Sequence, residues 1–156
     1  MPPLDPEFLA DCPYAPEAVL FDEVIAVDET ASAIRVRMPT RDDLPLTQHQ
    51  RVHPTRHPRH VNGGLMVHLT GMVGMAHAYF LLGLRHRDGW IGYGAVINKA
   101  RYPNIATIGD PLDLEARAAH IRGAGDKRVI AYEFTFTQDD KTVFESNQTA
   151  MFMRMA

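Results

Sequence analysis

Histidines are concentrated in one segment of the chain. Five of the eight fall between residues 49 and 68, in HQRVHPTRHPRHVNGGLMVH. An imidazole that titrates near neutrality can take and return a proton, so this segment is a candidate for acid–base chemistry. Three of the histidines are spaced four residues apart, but Pro54 and Pro58 exclude the helix that would align them. The spacing therefore does not favour a metal site, and we expect none.

The end of this segment resembles a helix start. Asn62, Gly63 and Gly64 lead directly into an apolar run. The first backbone N–H groups of a helix lack partners within the helix and lie at the positive end of its dipole. The N–H groups of Gly64 and Leu65 could therefore stabilise an oxyanion. The alternative is that Asn62 is an N-cap and that the glycines make a tight entry to the helix.

His68 follows Gly64 by four residues and so shares its helical face. Two interpretations stay open for this residue. It is either a base or orienting group at a site, or a buried histidine that is hydrogen-bonded to a carbonyl.

The helix that would carry His68 is predicted over residues 63–84, the only long uncharged stretch of the chain. Its length is nearly enough to span a bilayer. Two histidines and five glycines within it favour the core helix of a globular domain instead, so we expect no membrane span. Gly71 and Gly74 predict close backbone approach of a covering surface.

Strand-forming runs supply that surface, and short polar turns separate several of them. They cover residues 18–28, 32–39, 90–102, 111–122, 127–138 and 142–153. The order predicts an α+β fold in which a curved antiparallel sheet wraps around one long central helix. We expect a single domain over residues 1–156, with residues 1–16 as an N-terminal extension.

Composition and the opening residues exclude several further classes of function and location. A formal net charge of −3 argues against a nucleic-acid partner. The single cysteine, Cys12, cannot form an internal disulfide. The opening residues MPPLDPEFLADCP lack the basic flank and apolar run of a secretory signal, so we expect a cytoplasmic protein.

Two motifs resemble those of hotdog-fold proteins that act on acyl thioesters. The run HPTRHPRHVNGGLMVH resembles the loop-to-helix motif of β-hydroxyacyl-ACP dehydratases, and INKARYPNIATIGDPLDLEA at 97–116 resembles a later segment of the same enzymes. The run from His60 to Gly64 is also similar to the helix start of acyl-CoA thioesterases. The resemblance extends from about Val19 to Met153.

This resemblance implies a homodimer, which can pair again into a dimer of dimers. Each active site would lie where the helix of one subunit meets loops of the other. The substrate would be an acyl group on coenzyme A or acyl carrier protein, with no cofactor beyond the phosphopantetheine it carries. Arg56 and Arg59 would meet its phosphates, and Met72 and Met75 would line the path of the acyl chain.

The sequence departs from both families at their helix carboxylate. The dehydratase glutamate falls on His68, the thioesterase acid falls near Thr70 or Gly71, and residues 63–84 contain no acid. Dehydration needs two proton-transferring groups, whereas hydrolysis needs a polarised carbonyl and one base.

We therefore predict a thioesterase. In it the Gly64 and Leu65 N–H groups hold the carbonyl oxygen, beside Gly63 at the helix start. The remaining roles are His57 or His60 as the base that activates water, Asn62 as its orienting group and His68 as support from the helix. The alternatives are a 3-hydroxyacyl-thioester dehydratase or hydratase, with His57 as base and His68 in place of the acid, and a protein that binds acyl thioesters without turnover.

Overall fold

The computed structural model describes residues 4–155, so the first three residues of the predicted extension 1–16 lie outside it. Six antiparallel strands form one sheet in the order β1-β2-β4-β5-β6-β3. Their bounds are β1 Glu23–Asp28, β2 Ala33–Met38, β3 Trp90–Arg101, β4 Leu112–Arg122, β5 Lys127–Gln138 and β6 Lys141–Arg154. The helices are α1 Pro6–Asp11, α2 Pro16–Val19 and α3 Gly63–Leu82, followed by a 3₁₀ turn at His86–Asp88. The predicted architecture of an antiparallel sheet around one long helix is confirmed.

Local sequence sets both ends of α3. The side chain of Asn62 caps the first turn, and Gly83 ends the helix in the left-handed conformation at φ 64°. The N–H of Gly83 bonds back to the carbonyl of Ala78. The helix is therefore two residues shorter than the predicted 63–84, because glycine adopts this conformation without steric cost.

The core lies between α3 and the inner face of the sheet. Along β4 and β5 buried and partly exposed residues alternate, as expected for a sheet with one covered face. On the helix, Leu69, Val73 and Ala76 are fully buried. By length and composition α3 could cross a membrane, but 61% of its most apolar stretch is buried inside the domain. This is the position of a core helix.

The chain before β1 differs from the prediction of one strand over 18–28. Pro16 begins a short helix, for which its fixed φ is suited, and Leu20 then turns the chain at φ 71°. The strand consequently begins only at Glu23. In α1, Phe8 packs its ring against Tyr79 at the far end of α3, with centroids 5.4 Å apart.

Strand β3 forms one edge of the sheet, with β6 as its only strand neighbour among the described residues. Its large apolar side chains are about half exposed: Ile91, Tyr93, Val96 and Ile97. A long edge strand with unpaired backbone groups and exposed apolar side chains is suited to pairing with another strand.

Candidate active site

A groove of about 700 Å³ lies between α3 and the edge strand β3. Its walls and floor are mostly apolar, with contributions from Met72, Met75, Ile91, Tyr93, Phe134 and Phe152. A Cβ atom at Gly92 would overlap the ring of Phe152, so glycine at this position lets the floor close against β3. The groove has the size and polarity of a site for a small organic ligand.

His68 is half-buried in the wall of this groove. Its Nε2 lies 2.8 Å from the carbonyl oxygen of Ala18. Because a carbonyl only accepts, Nε2 carries the proton and Nδ1 of the neutral ring is a bare acceptor. Within residues 4–155, Nδ1 makes no hydrogen bond. The bond to a carbonyl is thus observed, and the role of His68 as a base or orienting group stays a prediction.

Gly71 leaves the middle of the groove open. A Cβ atom there would meet nothing within 4 Å, so the prediction of a covering surface is wrong at this residue. At Gly74 a Cβ would contact the rings of Tyr132 and Phe134 at ordinary distances of 3.8–3.9 Å. None of the described residues that line the groove is an aspartate or glutamate.

The predicted loop histidines lie outside the groove. His57 and His60 are brought together, with their rings 5.1 Å apart. The Nδ1–H of His60 donates to the carbonyl of Pro58 at 2.7 Å, which leaves Nε2 as the acceptor. Gln50 clamps the backbone of His60, donating to its carbonyl at 2.9 Å and accepting from its N–H at 3.1 Å.

The predicted oxyanion site at the start of α3 is already occupied. Asn62 Oδ1 accepts from the N–H of Gly64 at 2.7 Å and of Leu65 at 3.3 Å. The N-cap interpretation of Asn62 is therefore the one observed, and these N–H groups could meet a substrate oxygen only if Asn62 moved. The carbonyl of Gly63 accepts from Tyr102 Oη at 2.9 Å.

Two arginines expected at substrate phosphates contact the loop itself. Arg59 donates to the carbonyl of Thr47 at 2.8 Å and lies 3.5 Å from Asp42. The guanidinium of Arg56 lies 3.0 Å from the ring of His53. Their phosphate role stays a prediction.

The structure thus divides the predicted site residues into two groups. His68, Met72 and Met75 line the groove, and the others form the loop and helix start: Arg56, His57, Arg59, His60, Asn62, Gly63, Gly64 and Leu65. No group of three or more His, Cys, Asp or Glu side chains that could hold a metal occurs in residues 4–155.

Sequence reasoning missed two polar residues of the groove, Thr70 and Gln148. A signal for Gln148 was present in the sequence. The inward-facing positions of β6 run Phe144, Ser146, Gln148, Ala150 and Phe152, so a long polar side chain interrupts an otherwise small or apolar face.

A second helix histidine, His77, supports the floor of the groove. It is fully buried, with Nε2 2.9 Å from the carbonyl of Ser32 and Nδ1 2.8 Å from the hydroxyl of Tyr132. Burial lowers the pKa of His77 to about 4 and raises the pKa of Tyr132. Both ring nitrogens are in use, so His77 is a structural link between α3 and β5.

This arrangement of helix and sheet is the hotdog fold. Solved structures of similar fold include a mutant thioesterase from Pseudomonas aeruginosa, with a TM-score of 0.62 and 17% identity over 96% of this chain and 93% of that one. A thioesterase from Haemophilus influenzae gives a TM-score of 0.59 and 18% identity over 92% of this chain and 85% of that one. The PaaI protein from the phenylacetic acid degradation operon of E. coli gives a TM-score of 0.55 and 16% identity over 82% of this chain and 80% of that one. No protein-family model matches the chain, and no curated protein sequence matches it significantly.

Proposed function

We propose that this protein is an acyl-thioester hydrolase whose substrate carries its acyl group on coenzyme A or acyl carrier protein. The observation that carries the proposal is the apolar groove between α3 and β3, in which His68 presents an uncommitted Nδ1. Solved thioesterases of similar fold support it. The reaction needs no cofactor beyond the phosphopantetheine arm of the substrate, and we expect it in the cytoplasm.

His68 supplies the base in this proposal. Its Nδ1 takes a proton from water as the water oxygen bonds to the thioester carbonyl carbon. Collapse of the tetrahedral intermediate breaks the C–S bond, and the imidazolium returns the proton to the leaving sulfur. The products are a free acid and a thiol. The hydrogen bond from Nε2–H to Ala18 holds the ring in the required tautomer.

A second copy of the chain completes the groove. The exposed apolar edge of β3 supports a homodimer in which two β3 strands pair, and such dimers could pair again. In that assembly the loop with His57 and His60, and the helix start at Asn62, would approach the groove of the other copy. Arg56 and Arg59 would then stand near the substrate's phosphates.

A hydratase or dehydratase of 3-hydroxyacyl thioesters is the second candidate. The observation that favours it is His60, whose Nδ1 is committed to Pro58 while Nε2 is bare. With His68, it could supply the second proton-transferring group that this chemistry requires.

The test is a mass-spectrometric time course of the purified protein with acyl-CoA, 3-hydroxyacyl-CoA and enoyl-CoA substrates. We expect release of coenzyme A over many turnovers, lost in His68→Gln and kept in His120→Gln, a matched change at an exposed histidine of β4. Interconversion of hydroxyacyl and enoyl species with the thioester intact would establish the second candidate instead. Tight binding of acyl-CoA without any product would identify a binding protein and overturn both.

A further inference from the structure

Gln148 is the one long polar side chain on the inward face of β6, and it borders the groove beside Thr70. Its amide lies between two hydroxyl groups. Nε2 is 3.1 Å from Thr70 Oγ1 and 3.2 Å from Ser146 Oγ. Which way the amide faces depends on where those two hydroxyls direct their protons.

Both hydroxyl protons are committed to backbone carbonyls. Thr70 Oγ1 donates to the carbonyl of Val67 at 2.6 Å, and Ser146 Oγ donates to the carbonyl of Lys99 at 2.6 Å. A hydroxyl has one proton, so toward Gln148 each of these oxygens can only accept. An amide turned the other way would bring its oxygen against two lone pairs. The two hydroxyls therefore fix the NH₂ group of Gln148 toward themselves.

Gln148 Oε1 is left without a donor among residues 4–155. The hydroxyl of Thr70 lies 3.3 Å away, but its proton is used by Val67 at the shorter distance. The groove thus holds a rigidly oriented hydrogen-bond acceptor in addition to His68. An acceptor repels a developing oxyanion, so it can serve the reaction only by holding a donor.

We infer that Gln148 is a positioning residue, whose Oε1 accepts a hydrogen bond from the attacking water and holds it in the groove. This inference rests on the proposed function. Water is the donor that every hydrolysis must bring to the site, and bare Gly71 leaves room for it. One water proton bonds to Gln148, while the other passes to the base as the oxygen attacks the carbonyl carbon. Gln148 thereby supplies, from the sheet, an acceptor oxygen in a groove that has no carboxylate among its described lining residues.

The experiment compares the steady-state kinetics of thioester hydrolysis by wild type and Gln148→Met, a replacement of similar shape without the acceptor. We expect kcat to fall by at least about 10-fold, as for a misplaced reactant, with KM within about 2-fold of wild type. The matched control is Asn147→Leu on the exposed, opposite face of β6, which should leave both constants and the melting temperature unchanged.

Each other outcome overturns the inference. An unchanged kcat in Gln148→Met, or a raised KM at unchanged kcat, would show that Gln148 does not hold the nucleophile. If Gln148→Met does not fold, Thr70→Val replaces it, because loss of this hydroxyl frees the amide to rotate; an unchanged kcat there would equally overturn the inference. Absence of wild-type turnover with every thioester would instead overturn the proposed hydrolase, and the Gln148 role with it.

Discussion

The loop before α3 and the groove beside it contain similar side chains but use them differently. In the loop, Gln50 and Arg59 bond to backbone carbonyls, and Asn62 occupies the N–H groups at the helix start. In the groove, His68 and Gln148 each keep one acceptor uncommitted among mostly apolar walls. Residue density identified the loop, where Nε2 of His60 also stays uncommitted. The groove differs because it brings two uncommitted acceptors to the wall of one apolar cavity. The second property is the better guide to a site that must bind and activate water.

The largest expected effect concerns the two sets of histidines. Loss of the groove base in His68→Gln should lower kcat by about 1,000-fold, within the range for removal of a general base. The double variant His57→Gln/His60→Gln should lower it by less than about 10-fold, because these residues lie outside the groove. Steady-state rates of coenzyme A release measure both. The reverse order of effects would move the catalytic base to the loop.

His77 lies on the same helix as His68 but has hydrogen bonds at both ring nitrogens. The pKa of His77 is about 4 in the folded protein, against about 6.5 in an unfolded chain. Its contribution to the free energy of unfolding is therefore fully present above pH 6.5. Between these values the unfolded state binds the proton and the folded state does not. The free energy of unfolding should therefore fall by about 3 kcal/mol from pH 7 to pH 4 through this residue alone.

Urea unfolding of wild type and His77→Gln at several pH values checks this expectation. The variant should be less stable at pH 7 and should lose less stability than wild type on acidification. If the free energy of unfolding fell with pH by the same amount in both proteins, His77 would not titrate in this way.

A substitution in the edge strand β3 tests whether the loop of one copy meets the groove of another. Val96→Lys places a charge on the exposed apolar edge of β3 and should weaken self-association by at least about 10-fold. Val27→Lys is the matched control, an exposed valine on β1 at the opposite edge of the sheet. Sedimentation velocity over a range of protein concentrations gives the self-association constant of each variant. Equal behaviour of the two variants would exclude β3 as the contact.

The smallest effect is expected at Gly71. Since a Cβ there meets nothing within 4 Å, Gly71→Ala should stabilise the helix by up to about 1 kcal/mol. The methyl group enters the groove, so the same variant should hydrolyse thioesters more slowly. Denaturant unfolding and kinetics measure the two changes. A loss of stability would mean that Gly71 is needed for packing after all.

Most of the fold could be predicted because its long strands and its long helix each leave a simple pattern in the sequence. The alternation of buried and exposed residues in β4 and β5 survives in the folded chain, and α3 could be predicted from the length of its uncharged run rather than from a periodicity. The short helix at Pro16–Val19 was missed because its apolar residues continue the pattern of the strand that follows. Four residues carry too little periodicity to reveal a helix.

The site was harder to predict because it depends on which hydrogen bonds are already made. His68, Met72 and Met75, which were among the predicted site residues, line the groove, and their roles stay predictions. That Asn62 would occupy the N–H groups of Gly64 and Leu65 was an open alternative, which only the geometry decided. The role of Gln148 follows from contacts with Thr70 and Ser146, one of them 78 residues away in the chain. No local pattern contains that information.

The role of His68 is tested most directly by a ¹⁵N NMR measurement of the histidine side chains above neutral pH, with and without a non-hydrolysable thioether analogue of acyl-CoA. We predict that Nε2 of His68 carries the proton and that Nδ1 is bare in the free protein. We also predict that the analogue shifts the His68 signals more than those of His57 and His60. A proton on Nδ1 of His68, or an analogue that leaves the His68 signals unmoved, would contradict the claim that this groove is the active site.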